Sequence, residues 1–202
     1  MIKIQGNIPR TVKVACSGGI DSMAIVDFLS RNHEVTACYF DHGTEHGYHA
    51  GQFLEDYYAG SNVKLIKGKI DNTEVPKRTS QEEHWRNQRY DWFKSLDQWD
   101  PIITCHHLED CVETWVWSSM NGTCNTVPYQ NGNVIRPFRL NRKRELELWC
   151  RFQNVKWIED PSNNETKHLR NYIRHEMMPH VLKVNPGIHK MVKKKMLSEI
   201  VE

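Results

Sequence analysis

Apolar residues along the chain fall into two kinds of pattern. Short runs rich in β-branched residues occur at Val12 to Cys16, Val35 to Phe40, Val63 to Ile70 and Ile102 to Cys105, and each has the length of a strand. Between them, apolar residues recur three and four apart, as on one face of a helix. Helices are predicted from Met23 to Leu29 and from Gly47 to Tyr58. Another opens at Ser80, with Glu83 three residues on as a capping box; Trp85, Trp92, Phe93 and Leu96 form its apolar face, and Arg86 and Arg89 stand off it. A further helix follows His106, with Val112, Trp115 and Val116 inward. Asn121-Gly122 ends it, Asn131-Gly132 marks a turn, and Val134-Ile135 reads as a short strand. Asn141 is placed to cap a helix with Leu146, Leu148, Trp149 and Phe152. The last third is helical: Leu169, Tyr172, Ile173, Met177 and Val181 line one face, Asn185-Pro186 stops that helix, and a basic tail runs from His189 to Met196. Strands alternating with helices at this spacing predict an α/β fold with a doubly wound, mostly parallel sheet and a C-terminal helical extension. The division falls near 1–140 and 141–202, with no separate C-terminal domain expected.

Composition narrows the picture. The 202 residues are 26% charged and 39% hydrophobic, which suits a folded globular chain. No apolar run approaches the ~20 residues of a membrane span, and Met1-Ile2-Lys3-Ile4 does not read as a signal peptide, so a cytoplasmic protein is expected. The six cysteines make no CxxC or CxxH pair, which points to buried reduced thiols. Charge is uneven: residues 1–135 hold 12 Lys and Arg against 17 Asp and Glu, and residues 136–202 hold 15 against 8. A basic back third on an acidic front fits either a nucleic-acid contact or a solvated helical surface.

Three stretches carry candidate chemistry. Ser17-Gly18-Gly19-Ile20-Asp21-Ser22 links the first strand to the first helix. Adjacent glycines let backbone N–H groups approach a ligand, the helix N-terminus favours anions, and Asp21 can hold a divalent cation on phosphates. The spacing is neither Walker A nor GxGxxG, and an ordinary capped turn would use the same residues. After the fourth strand, His106-His107-Leu108-Glu109-Asp110-Cys111-Val112-Glu113 brings three carboxylates and two histidines to a helix start. Asp110 and Glu113 share a helical face. An acidic first turn complementing the helix dipole is the plain alternative, and the spacing fits no standard zinc site. Arg170 and Arg174, four apart, share a face fit for gripping a carboxylate or phosphate, or for facing solvent.

Ser-Gly-Gly-x-Asp-Ser resembles the PP-loop of the N-type ATP pyrophosphatases. Four further blocks are similar to those of tRNA(Ile)-lysidine synthetases: Asp41-His42-Gly43; Glu82 with Arg86 and Arg89-Tyr90; His106 to Thr114; and Trp157 to Asn163 with Arg170-Asn171 and Arg174. They occur in that family's order across nearly the whole chain, and Glu109 stands where the family usually has Asp. The resemblance implies a PP-loop adenylating domain over 1–140, completed by helices from 141 on. It implies a ligase that adenylates the first anticodon cytidine of an isoleucine tRNA and joins lysine to it, forming lysidine. Ser17, Gly18, Gly19, Ile20, Asp21 and Ser22 would hold ATP, with Asp21 on Mg²⁺. His106 would place the cytidine, and Asp110 and Glu113 would bind lysine with Arg170 or Arg174. The chain ends near where that family's catalytic domain ends, so tRNA recognition is expected to fall to this domain, a homodimer or a partner chain. The other readings are a PP-loop adenylating RNA-modifying enzyme with a different nucleophile, and a non-catalytic RNA- or nucleotide-binding remnant.

Overall fold

A computed structural model describes residues 1–71, 73–96, 100–161 and 169–199. The strands are β1 (Thr11–Ala15), β2 (Glu34–Asp41), β3 (Lys64–Lys69), β4 (Ile102–Ile103), β5 (Gln130–Asn131) and β6 (Val134–Ile135). The helices are α1 (Ile20–Ser30), α2 (Glu45–Tyr58), α3 (Gln81–Leu96), α4 (Leu108–Met120), α5 (Lys143–Gln153), α6 (Leu169–Tyr172), α7 (Met178–Val184) and α8 (Ile188–Ser198), with a π-helical turn at Ile173–Met177 between α6 and α7. The sheet order is β3-β2-β1-β4-β6-β5. The pairs β1–β2, β1–β4, β2–β3 and β4–β6 are parallel, while β5 pairs antiparallel with β6. This is the expected doubly wound sheet, with one antiparallel edge. The direction of winding changes between β1 and β4, where such sheets bind ligands beyond the strands' carboxyl ends.

The main core lies around β1 and α1, where Val12, Val14, Met23, Ala24, Ile25 and Val26 are fully buried. Helix α5 packs on α1 through Leu146 and Cys150. A second cluster joins Leu108, Cys111, Val112 and Val116 of α4 to Ile173, Met178 and the stripe Ile188, Val192, Met196 of α8. On the other side, Trp92 of α3 lies flat on β3 because Gly68 has no side chain: a Cβ there would sit 2.3 Å from the indole.

Several sequence expectations are corrected. Asn141 does not cap α5; its side chain accepts from Lys3 N at 2.7 Å and donates to Lys3 O at 2.8 Å, tying down the N-terminal segment. The N-cap is Arg142, whose N–H donates to Glu145 Oε2 at 2.9 Å. Arg89 does not stand free of the core: it is half-buried, and desolvation lowers its pKa. Leu169 and Tyr172 are exposed although Ile173 is buried, because the π turn shifts the register of the predicted apolar stripe. β5 is too short and polar to show in the pattern. Ser162 and Asn163 lie outside the described residues.

Candidate active site

The loop between β1 and α1 is held open by its own hydroxyls. Ser17 N donates to Ser22 Oγ at 3.2 Å, Ser22 Oγ donates to Gly19 O at 2.9 Å, and Gly19 N donates to Ser17 Oγ at 3.4 Å. Gly18 has φ +83°, and a Cβ would lie 3.2 Å from Ile158, whose N–H donates to Gly18 O at 2.9 Å. Gly19 caps α1 without a side-chain hydrogen bond. The N-terminal N–H groups of α1 therefore keep the donor capacity that suits an anion. Asp21, on the first turn beside Ile20, has Oδ1 shielded from solvent with no hydrogen-bond partner. Burial raises its pKa against the pull of His107 and Lys143.

The second half of the site starts where β4 ends. Thr104 Oγ1 lies 3.0 Å from His106 Nδ1. Burial, reinforced by Arg170, Arg136 and Arg86 against Asp110, presses the His106 pKa down to about 3, so its ring is neutral. His107 is buried and caps α4, its N–H donating to Asp110 Oδ2 at 3.0 Å. Its Nε2 faces Asp21 Oδ2 at 3.7 Å and Asp110 Oδ2 at 3.6 Å, and its Nδ1 faces Glu109 Oε2 at 3.3 Å. Burial disfavours the charged ring, but these three carboxylates outweigh it and raise the pKa. Asp110 N in turn donates to His107 Nδ1 at 3.4 Å, completing the capping box.

Arg170 and Arg174 close over the α4 carboxylates. Arg170 Nη2 donates to Asp110 Oδ1 at 2.7 Å, and its Nε lies 3.6 Å from Glu113 Oε2. Arg174 Nε and Nη2 grip the two Glu113 oxygens at 2.8 and 3.1 Å, and Nη2 also reaches Asp110 Oδ1 at 3.1 Å. Desolvation raises the Asp110 pKa, yet His107, Arg170 and the His107 N–H together hold it well below the usual carboxylate range. Asp21, His106, Asp110, Glu113, Arg170 and Arg174 thus gather at one sheet edge. Glu109 faces His107 but not the arginine pair, and is bound by Arg142 Nε at 2.6 Å and Lys143 N at 2.7 Å; against burial, His107 and these donors lower its pKa to about 2. Sequence reasoning gave no role to His107, which joins the two halves. Its place as the residue just before an acidic helix start was the available signal. Among the described residues no group of three or more His, Cys, Asp and Glu side chains could hold a metal by itself.

The family model of the PP-loop domain matches residues 3–181. The chain belongs to the PP-loop family. Within it, the chain is similar to curated tRNA(Ile)-lysidine synthases. It is 31% identical to that of Legionella pneumophila (strain Paris) over 191 residues, covering 87% of this chain and 43% of the relative. It is 30% identical to that of Lactiplantibacillus plantarum over 200 residues, with 91% and 44% covered. The Thermotoga maritima protein is 30% identical over 196 residues, with 90% and 47% covered. The chain spans less than half the length of these relatives. Among solved structures, a U34-tRNA thiolase from Methanococcus maripaludis with its [4Fe-4S] cluster superposes with a TM-score of 0.70, at 15% identity, over 97% of this chain and 74% of that one. That likeness shows the shared PP-loop fold. No described helix is long and apolar enough to cross a membrane.

Proposed function

We propose that this PP-loop chain carries the catalytic site of a cytoplasmic ligase that joins lysine to the first anticodon cytidine of an isoleucine tRNA, consuming ATP. The observation that carries the reading is the junction at His107, which brings the PP-loop carboxylate and the α4 carboxylates to one edge. The named relatives support the substrate assignment.

In this reading Ser17 to Ser22 cradle the phosphates of ATP with backbone and hydroxyl donors. The partnerless Oδ1 of Asp21 suits Mg²⁺, and His107 and Lys143 pull against the burial that disfavours its charged form. The ion, when bound, neutralises charge on the phosphates. The cytidine C2 oxygen attacks the α-phosphorus and pyrophosphate leaves; the lysine ε-ammonium gives a proton to water, and the free amine attacks C2 as AMP leaves. Neutral His106 orients the base through hydrogen bonding, in a single-stranded loop whose base edges are open. Asp110, held ionised by its cationic neighbours, binds an ammonium and is a poor proton acceptor. The lysine enters by displacing Arg170, the more exposed guanidinium, while Arg174 stays seated on Glu113.

The test is nucleoside mass spectrometry of a CAU-anticodon isoleucine tRNA transcript after incubation with lysine, ATP and Mg²⁺, with a methionine tRNA of the same anticodon as control. Lysidine in the isoleucine tRNA alone is the expected result. AMP release with other amines and no lysidine would transfer the site to a different nucleophile.

A further inference from the structure

The helices after the arginine pair hold a surface that this chemistry does not use. Between Glu176 and Glu199 the chain has five lysines and no Asp or Glu. Helix α8 buries Ile188, Val192 and Met196 against α4, and that register turns Lys190, Lys194 and Lys195 outward. Lys190 and Lys194 are four apart and therefore neighbours on the helix surface. Lys183, near the end of α7, is also exposed. Lys193 is spent differently, its Nζ donating to Leu140 O at 3.0 Å. Among the described residues Lys195 alone of the outward four meets a carboxylate, Glu199 at 3.9 Å.

The surface belongs to a helix packed on the site's own scaffold: α8 lies against α4, the helix that carries Asp110 and Glu113. A membrane surface would need a continuous apolar helix face; the stripe Ile188, Val192, Met196 is consumed by α4, and the exposed Met191 and Leu197 stand six residues apart, on different faces. Exposed cations of one sign, three of the four without a carboxylate partner among the described residues, on a helix packed against the site's α4 match a phosphate backbone.

We propose that Lys183, Lys190, Lys194 and Lys195 bind the phosphate backbone of the RNA substrate and hold it across the α7–α8 face. The inference rests on the reading of the site as RNA-modifying. It differs from base recognition, because phosphate contacts position an RNA without reading its sequence. The residues spent on Asp110 and Glu113 play no part in it.

The experiment is fluorescence anisotropy of a labelled CAU-anticodon isoleucine tRNA transcript and an unrelated tRNA, across about 50 to 200 mM salt. It compares the full chain with Lys190→Gln/Lys194→Gln and with Arg10→Gln/Lys64→Gln at the opposite ends of the strands. The α8 variant is expected to bind both RNAs about tenfold more weakly at low salt and to lose about 2 from the slope of log affinity against log salt. The control variant should match the parent. Unchanged affinity and slope in the α8 variant would overturn the proposal. Because the readout is RNA affinity, binding that depends on Lys190 and Lys194 in a protein that forms no lysidine would sink the functional reading while leaving this surface in place.

Discussion

Replacing Arg174 with Met removes the cation that binds the α4 carboxylates most fully. The Glu113 and Asp110 side chains are only 7% and 8% exposed, and Arg174 makes three hydrogen bonds to them at 2.8 to 3.1 Å. Stripping one partner from a buried pair costs about 3–5 kcal/mol when nothing replaces it. Here Arg170 stays on Asp110 at 2.7 Å, and among the described residues only a 3.6 Å contact remains for Glu113, so the loss should be about 2–3 kcal/mol. For a chain of this size that is a melting temperature lower by about 5–10 °C. The assay is thermal and urea unfolding of four proteins: the parent, Arg174→Met, Glu113→Gln and the double variant. The double variant should recover at least about 1 kcal/mol relative to additivity, since the uncompensated charge is gone. A single-variant loss under about 0.5 kcal/mol, or strict additivity, would refute the claim that these groups form one cluster.

Other outcomes follow from the same geometry. Gly18→Ala places a Cβ at φ +83° and 3.2 Å from Ile158, at a cost of about 1–2 kcal/mol, so nucleotide affinity measured by calorimetry should fall; unchanged affinity would show that the loop tolerates another backbone shape. Acid should lower the stability of the protein in two overlapping stages. His106 has a folded pKa of about 3 against an ordinary 6.5, so its contribution is fully present above pH 6.5 and is lost as pH falls toward about 3. Glu109, at about 2 against an ordinary 4.5, contributes fully above pH 4.5, and that contribution is lost as pH falls toward about 2. In melting curves against pH, His106→Asn should flatten the upper stage and Glu109→Gln the lower; curves parallel to the parent's would contradict these assignments.

Much of this was readable in the sequence because it depends on local periodicity. Strand positions, the glycine turn and the four-residue spacing of Arg170 and Arg174 are properties of short windows. What escaped depends on distant partners. Asn141 looks like a cap until Lys3, far off in sequence, takes its side chain. Arg136 and Arg139 look like surface cations, yet both are 2% exposed, donating to Pro128 O and Val127 O beneath the loop before β5. The exposure of Leu169 and Tyr172 depends on a π turn that no period of 3.6 anticipates. In the site, Glu109 and Asp110 are adjacent in sequence and both face His107, but only Asp110 reaches the arginine pair, because Arg142 and Lys143 at the start of α5 claim Glu109.

The central claim is that one sheet edge performs two successive steps with different residues, and radiolabelled ATP tests it directly. Pyrophosphate release, which reports adenylation, and lysine transfer to the isoleucine tRNA would be followed in parallel for the parent, Asp21→Asn and Glu113→Gln. The account predicts that Asp21→Asn loses both, while Glu113→Gln still consumes ATP on the tRNA but transfers little lysine. Equal loss of both steps in Glu113→Gln, in a protein whose melting shows it folded, would contradict the division of labour between the PP-loop and α4.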